Sequence, residues 1–267
     1  MLTGHGDWVR AVAVTPDGRR AVTASNDRTL KVWELESRRE LQTLSGHAGW
    51  VHAVTVTPGG RRAVSASSDR TLKVWDLESG RELQTMSGHF RGVNAVAVTS
   101  DGQRAISASS DRRLKVWELE SGRALQILSG HAAGVNAVAV TPDGQRAISA
   151  SNDQTLKVWE LASGRELQTL FGHMGFIVAV AVTPDGCRAV SASGDGTLKV
   201  WELETGRELQ TLSSHAGGVN AVAVMPDGQR AISASNDGTL KVWELDSGRE
   251  LQTISVHTPP WARARLE

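Results

Sequence analysis

One spacing dominates the sequence: residues of the same type return every 42 positions. Histidine does so from His5 to His257, tryptophan from Trp33 to Trp243, and aspartate from Asp27 to Asp237. The unit that begins at His131 differs from the unit that begins at His215 at only seven of 42 positions. Internal repeats of about 20 to 50 residues are typical of solenoids, propellers and other arrays. We therefore predict an array over residues 1–256 and a C-terminal tail at 257–267, the repeats being 5–46, 47–88, 89–130, 131–172, 173–214 and 215–256.

Each unit has the pattern of four short antiparallel strands, which we name a, b, c and d in chain order. In the fourth unit the runs 135–140, 146–151, 155–161 and 166–170 are separated by short turns, and none has helical periodicity. Strand a is nearly continuous in valine and alanine, which predicts burial on both of its faces. Strand d alternates leucine with polar residues, which is typical of an outer edge. The pattern predicts an all-β fold, a β-propeller of six four-stranded antiparallel blades around a central channel.

Composition argues against several classes of function. The chain has 29 lysine and arginine residues against 29 aspartate and glutamate residues, so a nucleic-acid-binding surface is not indicated. Cys187 is the one cysteine and has no internal disulfide partner. The longest apolar run, residues 176–182, is far shorter than a membrane span, and the N-terminus has no signal-peptide pattern. We expect a cytoplasmic protein that binds neither membrane nor nucleic acid.

The recurring residues resemble the WD40-repeat β-propeller family. Gly-His, Val-x-x-Val-x-Val, Pro-Asp-Gly and Ser-x-x-x-Asp-x-x-Leu-Lys-Val-Trp carry the resemblance over residues 4–256. Trp-Glu stands where the family has Trp-Asp, except at Trp75-Asp76. The resemblance implies a buried hydrogen-bonded quartet in each blade. These structural quartets would be His5, Thr23, Asp27, Trp33; His47, Ser65, Asp69, Trp75; His89, Ser107, Asp111, Trp117; His131, Ser149, Asp153, Trp159; His173, Ser191, Asp195, Trp201; and His215, Ser233, Asp237, Trp243.

Serine, histidine and aspartate are also the members of a hydrolytic triad, and repeated histidines could suggest a metal. A catalytic set is needed once, whereas this set recurs six times at identical spacing with a tryptophan attached. No nucleophile elbow, phosphate loop or dinucleotide fingerprint is present. The histidines fall one to a blade, which is not the spacing of a zinc site. We therefore expect no enzyme activity, no catalytic residue, no cofactor and no metal ligand.

Positions that differ between otherwise near-identical units indicate where a partner would bind. The b–c turns and d–a connections share one face, which we call the top face. Aromatic and arginine residues that cluster there are typical of binding hot spots, and Met174 could extend the cluster. The alternative is that these loop residues have drifted, or that the tryptophans pack over neighbouring loops. The predicted partner-binding residues are Trp8, Arg10, Trp50, His52, Phe90, Arg91, Asn94, Asn136, Phe176 and Asn220.

These patterns favour a non-enzymatic scaffold that binds a protein or peptide on its top face. One alternative is a structural or designed symmetric scaffold without a natural partner. Another is an incomplete propeller segment of a larger bacterial signalling protein. For the ring itself, closure by six blades alone is the first expectation. An open ring completed by another chain, with self-association, is the second.

Overall fold

The computed structural model describes residues 4–255, and His257 and the predicted tail at 257–267 lie outside that range. The described residues form 24 strands in six antiparallel sheets and contain no helix. Each sheet has four strands in chain order, as the repeat pattern predicts. The predicted all-β class and the six blades are therefore confirmed.

The strands have the following bounds. Blade 1 contains β1 (Val9–Val14), β2 (Arg20–Ser25), β3 (Thr29–Glu34) and β4 (Arg39–Ser45); blade 2 contains β5 (Val51–Val56), β6 (Arg62–Ser67), β7 (Thr71–Asp76) and β8 (Glu82–Ser87). Blade 3 contains β9 (Val93–Val98), β10 (Arg104–Ser109), β11 (Arg113–Glu118) and β12 (Ala124–Ser129); blade 4 contains β13 (Val135–Val140), β14 (Arg146–Ser151), β15 (Leu156–Glu160) and β16 (Glu166–Leu170). Blade 5 contains β17 (Ile177–Val182), β18 (Arg188–Ser193), β19 (Leu198–Glu202) and β20 (Glu208–Leu212); blade 6 contains β21 (Val219–Val224), β22 (Arg230–Ser235), β23 (Thr239–Glu244) and β24 (Glu250–Ser255).

The turn between strands a and b is set by its own residues. In blade 4 the backbone N–H of Gly144 donates to the carbonyl of Thr141, and Gly144 has a φ of 68°. That left-handed conformation favours glycine, which has no Cβ to clash. The Thr141 hydroxyl donates to the carboxylate of Asp143 and accepts from the backbone N–H of Arg146. The Thr-Pro-Asp-Gly sequence thus fixes the register of the hairpin.

The hydrophobic core lies between the blades. Strands b, c and d of one blade pack against strands a and c of the next, as Leu30 and Leu44 of blade 1 do against Val51 and Trp75 of blade 2. Five such apolar seams join blades 1 through 6 in order. A polar contact crosses each seam, because a strand-d glutamine donates to a backbone carbonyl of the next c–d turn. The glutamines are Gln42, Gln84, Gln126, Gln168 and Gln210.

The ring is open between blades 6 and 1. Successive inner strands pack together from β1 on β5 to β17 on β21, whereas β21 and β1 do not pack in this way within residues 4–255. Val12 of β1 is 63% exposed, and its counterpart Val54 of β5 is 8% exposed. The expectation that six blades close alone is therefore wrong. Among the described residues only five apolar seams form, so blade 1 and blade 6 each keep one face that no neighbouring blade covers.

Because the ring is open, truncating equivalent residues of strand d should lower the free energy of unfolding by unequal amounts. Leu128 fills the seam between blades 3 and 4 and is 0% exposed, whereas Ile254 occupies the same repeat position on the open face of blade 6 and is 40% exposed. We expect Leu128→Ala to lower the free energy of unfolding by about 2–5 kcal/mol, and Ile254→Ala by less than about 1.5 kcal/mol. Denaturant titration monitored by tryptophan fluorescence measures both, at a protein concentration low enough to keep the chain at one copy. Equal losses would mean that Ile254 is covered in solution.

Candidate functional site

A hydrogen-bonded quartet stands at the top of every blade. In blade 4 the Trp159 indole N–H donates to Ser149 Oγ over 2.8 Å, and the two imidazole nitrogens of His131 lie 2.7 Å from Ser149 Oγ and 2.7 Å from Asp153 Oδ2. A proton on Nδ1 of the histidine makes each link a donation, running from the indole to the carboxylate. The other blades repeat this geometry, with His–Asp distances of 2.7 to 2.9 Å.

Each quartet aspartate is held ionised. Burial opposes the charge on Asp153, but hydrogen bonds from His131 and Thr155 outweigh it and hold the pKa of the carboxyl well below its ordinary value. The same balance lowers the pKa of Asp195 to about 2. Carboxylates committed in this way to neighbouring side chains and backbone N–H groups belong to the framework of the blade. The arrangement therefore has the properties of a structural network.

The quartets predict that two aspartates of one blade differ in importance. Asp153 accepts hydrogen bonds from His131, Thr155 and the backbone N–H of Ala132, whereas Asp143 lies in the exposed a–b turn. Asp153→Ala leaves buried donors unsatisfied and should cost about 1–3 kcal/mol. Asp143→Ala should cost less than about 1 kcal/mol. Thermal unfolding followed by circular dichroism compares the two variants, and equal losses would show that the quartet does not stabilise the blade.

The stability of the fold should also depend on pH. The pKa of Asp153 is lowered from 3.8, and burial lowers the pKa of His89 and His173 from 6.5 against the opposing hydrogen bonds of Asp111 and Asp195. Between each folded value and its ordinary value the unfolded chain binds more protons, so stability is lost as the pH falls. We expect the melting temperature to decline below about pH 6.5 and more steeply below about pH 4. A melting temperature that stays constant or rises from pH 6.5 to pH 4 would contradict this.

Strand a begins with a β-bulge in every blade, and the bulged position is one that varies. In blade 4 Val135 pairs with Ser151 and Ala137 with Ala150, so Asn136 is left out of the ladder. A bulge redirects the side chain of the extra residue. The same position is occupied by Arg10, His52, Asn94, Asn136, Val178 and Asn220.

Four of the predicted binding residues form a connected group on blades 1 and 2. Trp8 is 69% exposed and Trp50 is 50% exposed, so neither lies beneath a neighbouring loop. The Arg10 guanidinium lies over the Trp8 ring at 5.5 Å, and the rings of Trp50 and His52 meet edge-on at 6.5 Å. Burial and the charge of Arg10 both lower the pKa of His52, which favours a neutral imidazole. The group combines flat apolar surfaces with one cation.

Blade 3 continues this surface. Phe90 is exposed, and the Arg113 guanidinium lies 5.9 Å from its ring centroid. Phe90, Arg91 and Arg113 line a depression that reaches Gly134 of blade 4. Exposed apolar and cationic groups thus extend over three consecutive blades.

The asparagines at the bulge have a different environment. The side-chain amide of Asn94 donates to the backbone carbonyl of Val135 over 2.8 Å, and that of Asn136 donates to the carbonyl of Ile177 over 2.8 Å. Both bonds cross to the next blade. Asn220 donates to Asn236 within its own blade. These amides contribute to blade packing, which sequence reasoning did not foresee because the bulge is not visible in the repeat pattern.

Blade 5 has its own exposed apolar group. Phe176 was predicted, and its ring packs so closely on Gly194 that a Cβ there would lie 2.7 Å from it. Met174 and Phe171 are exposed nearby in the chain. Phe171 was missed, although it stands where the other units carry serine.

Three arginines of the b–c turns were also missed. Arg28, Arg70 and Arg112 have φ values of 71°, 75° and 71°, in the left-handed region. Blades 5 and 6 use Gly196 and Gly238 at the same turn position. A side chain there costs about 1–2 kcal/mol relative to the right-handed conformation. The signal was present in the sequence, because this position reads Arg, Arg, Arg, Gln, Gly, Gly from blade to blade.

The WD domain, G-beta repeat (WD40) family model matches residues 1–34, 38–76, 80–118, 122–160, 164–202 and 206–244. The chain belongs to the WD40 family. The resemblance seen in the recurring residues is therefore confirmed. Together with six four-stranded sheets, the match identifies each 42-residue unit as a WD40 repeat.

Curated relatives match this WD40 chain over short stretches. Nuclear distribution protein PAC1 of Scheffersomyces stipitis is 50% identical over 34 residues, or 13% of this chain and 6% of its own length. Probable E3 ubiquitin ligase complex SCF subunit sconB of Talaromyces stipitatus is 44% identical over 43 residues, or 16% and 6%. Pleiotropic regulator 1 of Homo sapiens is 49% identical over 37 residues, or 14% and 7%. The matched regions therefore span less than a tenth of these relatives.

Among residues 4–255 no group of three or more histidine, cysteine, aspartate or glutamate side chains is arranged to hold a metal ion. The described part of the chain has no helix of the length and apolar character needed to cross a membrane. The free thiol of Cys187 is exposed on the a–b turn of blade 5.

Proposed function

We propose that this WD40 chain is a non-enzymatic, cytoplasmic scaffold that binds a protein or peptide on the top face of blades 1–3. The observation that carries the proposal is that Trp8, Trp50 and Phe90 are exposed on three consecutive blades, with Arg10 over the Trp8 ring and Arg113 over the Phe90 ring. Aromatic and arginine side chains dominate binding energy at protein interfaces. The family supports the scaffold role, and one relative is named as a subunit of a ubiquitin ligase complex. The rigid seams below the face hold it in place before binding, which lowers the entropic cost.

The charge of this face indicates the chemistry of the partner. Six arginines stand on the top of blades 1–3, all of them exposed and none in a salt bridge of the described residues. They are Arg10, Arg28, Arg70, Arg91, Arg112 and Arg113. The corresponding positions of blades 4–6 carry no charged residue. We therefore propose a partner segment that is acidic and also carries apolar side chains, since complementary charge steers association and specifies the partner.

The turn arginines strengthen this proposal. Glycine occupies the same left-handed position in blades 5 and 6, so the turn itself does not need a side chain there. Strained residues concentrate at functional sites because the strain persists only where the surrounding structure or a function requires it. Random drift of loop residues would therefore not be expected to place arginine at three adjacent turns.

A second candidate is a structural or designed symmetric scaffold without a natural partner. The near-identity of the units, with seven differences in 42 positions between the fourth and sixth, favours it. An origin as a segment of a larger bacterial signalling protein is compatible with either role. The two functions differ in one respect: only the first requires the top face to select a ligand.

Selection from a random-peptide phage library on the immobilised chain tests this choice. We expect recovered peptides rich in aspartate and glutamate with aromatic or aliphatic residues between them. Binding to Trp8→Ala plus Trp50→Ala should fall at least about tenfold, since hot-spot truncations typically cost about 2 kcal/mol or more each. The control is Leu83→Ala plus Leu125→Ala, which removes exposed apolar residues from outer strands. Peptides that bind all three proteins equally, or no recovered peptides, would favour the scaffold without a partner.

The turn arginines allow a test that leaves the fold intact. The variant combines Arg28→Gly, Arg70→Gly and Arg112→Gly. Glycine relieves the strain of each turn, which stabilises the fold, but it also raises the conformational entropy of the unfolded chain, which destabilises it. Because these two effects oppose each other, each site should change the free energy of unfolding by less than about 1 kcal/mol. Affinity for the acidic peptides should nevertheless fall, and the fall should shrink as salt is raised. Gln154→Gly is the matched control, because it changes the same turn position in blade 4 without removing a charge. Unchanged affinity in the triple variant would exclude these arginines from the site.

A further inference from the structure

The two ends of the open ring carry the two halves of a seam. On blade 6, Ile232, Leu240 and Ile254 occupy the positions that are fully buried in the blades before it, and all three are partly exposed. On blade 1, Val9 and Val12 occupy the positions of Val51 and Val54 and are mostly exposed. We call the first set the tail face and the second the head face. Apolar patches that a folded chain leaves uncovered commonly mark interaction surfaces.

Polar groups on the tail face lack the partners that their counterparts have. In blade 5, Gln210 donates to the backbone carbonyl of Asp246, and Arg188 donates to the Asp246 carboxylate and the Gly228 carbonyl, all in blade 6. In blade 6, Gln252 makes no such contact within residues 4–255, and Arg230 bonds Asp227 of its own blade at 2.7 Å. The head face offers the equivalent acceptors, because Gly18 and Glu36 of blade 1 stand at the repeat positions of Gly228 and Asp246.

We propose that the tail face binds the head face of a second copy of this chain, forming a sixth seam between molecules. The second copy is the occupant because the five internal seams show that these two faces are complementary in apolar shape, in hydrogen bonding and in charge. Arg230 then pairs with Glu36 of the second copy in place of Asp227, as Arg62 pairs with Glu120 and Arg188 with Asp246 inside the chain. This self-association is independent of the proposed top-face partner.

The proposed contact joins two different faces of the chain. The tail face of one copy meets the head face of another, so a pair of copies still presents one unused head face and one unused tail face to further copies. Such a head-to-tail contact builds rings or filaments and does not stop at two copies. Assembly should therefore depend on concentration and should extend beyond a dimer.

Two variants that block opposite faces test this. Val12→Glu blocks the head face and Ile254→Glu blocks the tail face; both side chains are exposed in the single chain, so the new carboxylate stays solvated and folding is preserved. Sedimentation velocity of the full chain should show a mass that rises with concentration beyond two copies. Each variant alone should stay at one copy, because burying an unpaired charge weakens the contact by at least about tenfold. Leu125→Glu, on an outer strand away from both faces, should assemble like the wild type.

Mixing the two blocked variants gives the decisive outcome. The intact tail face of Val12→Glu binds the intact head face of Ile254→Glu, and the pair then has no usable face left. We expect a species of two copies and nothing larger. Three results would each overturn the proposal. The wild type could remain at one copy at all concentrations, either single variant could still assemble, or the mixture of variants could stay at one copy.

Thermal unfolding distinguishes the other possible occupants of the opening between blades 6 and 1. If blade 6 instead closes on blade 1 of the same chain, the wild type stays at one copy and both glutamate variants lower its melting temperature. If a blade from an unrelated protein fills the opening, the wild type stays at one copy and neither variant changes the melting temperature. Either result contradicts the proposal. Trp8→Ala plus Trp50→Ala should assemble like the wild type, so a failure of the top-face function is distinguishable from a failure of self-association.

Discussion

The structure depends on the seam between neighbouring blades. A single four-stranded sheet of this kind is apolar on both faces and cannot bury either face alone, so stability comes from stacking. Trp75 shows how the seam joins the polar framework: its ring packs against Leu30 and Leu44 of blade 1, while its indole N–H donates to Ser65 of its own blade. The quartet thereby orients the largest side chain of the seam. Because each seam needs two blades, an array that does not close leaves half a seam at each end.

Comparison of the blades separates what the fold requires from what it tolerates. The quartet is complete in all six blades, whereas a second polar set beneath it is not. In blade 2 the ammonium of Lys73 donates to Glu82 and Thr85, but in blade 3 Lys115 faces Ala124 and Ile127 at those positions and lies over the Trp117 ring at 5.5 Å. A partly buried cation is therefore accommodated by an aromatic face when its carboxylate is missing. No equivalent replacement occurs in the quartet, whose aspartates hold a histidine and a backbone N–H at once.

Much of the fold could be read from the sequence because every blade is encoded by the same local signals. Strand runs, turn residues and the spacing of the quartet are properties of one 42-residue unit, and six copies repeat them. The opening of the ring is not such a property. Val9 and Val51 each follow a tryptophan and begin strand a, yet one is 53% exposed and the other 0%. Their difference arises because blade 1 covers Val51 and no blade of the described chain covers Val9, which no local pattern specifies. The interblade bonds of Asn94 and Asn136 were missed for a similar reason, since they depend on a bulge and on the neighbouring blade.

Identical blades make a symmetric surface, and a symmetric surface cannot distinguish one end of a ligand from the other. On the top face, asymmetry enters at the bulge and in the two kinds of top-face loop. Trp8, Trp50 and Phe90 occupy those positions, and Arg28 and Arg70 occupy turns whose conformation favours glycine. The apolar residues of the seams vary only among apolar types, because each touches two blades. Different constraints therefore act on the ends of the array and on its top face. The ends keep the side chains that form a seam, whereas the top face can vary and gain side chains that bind a ligand.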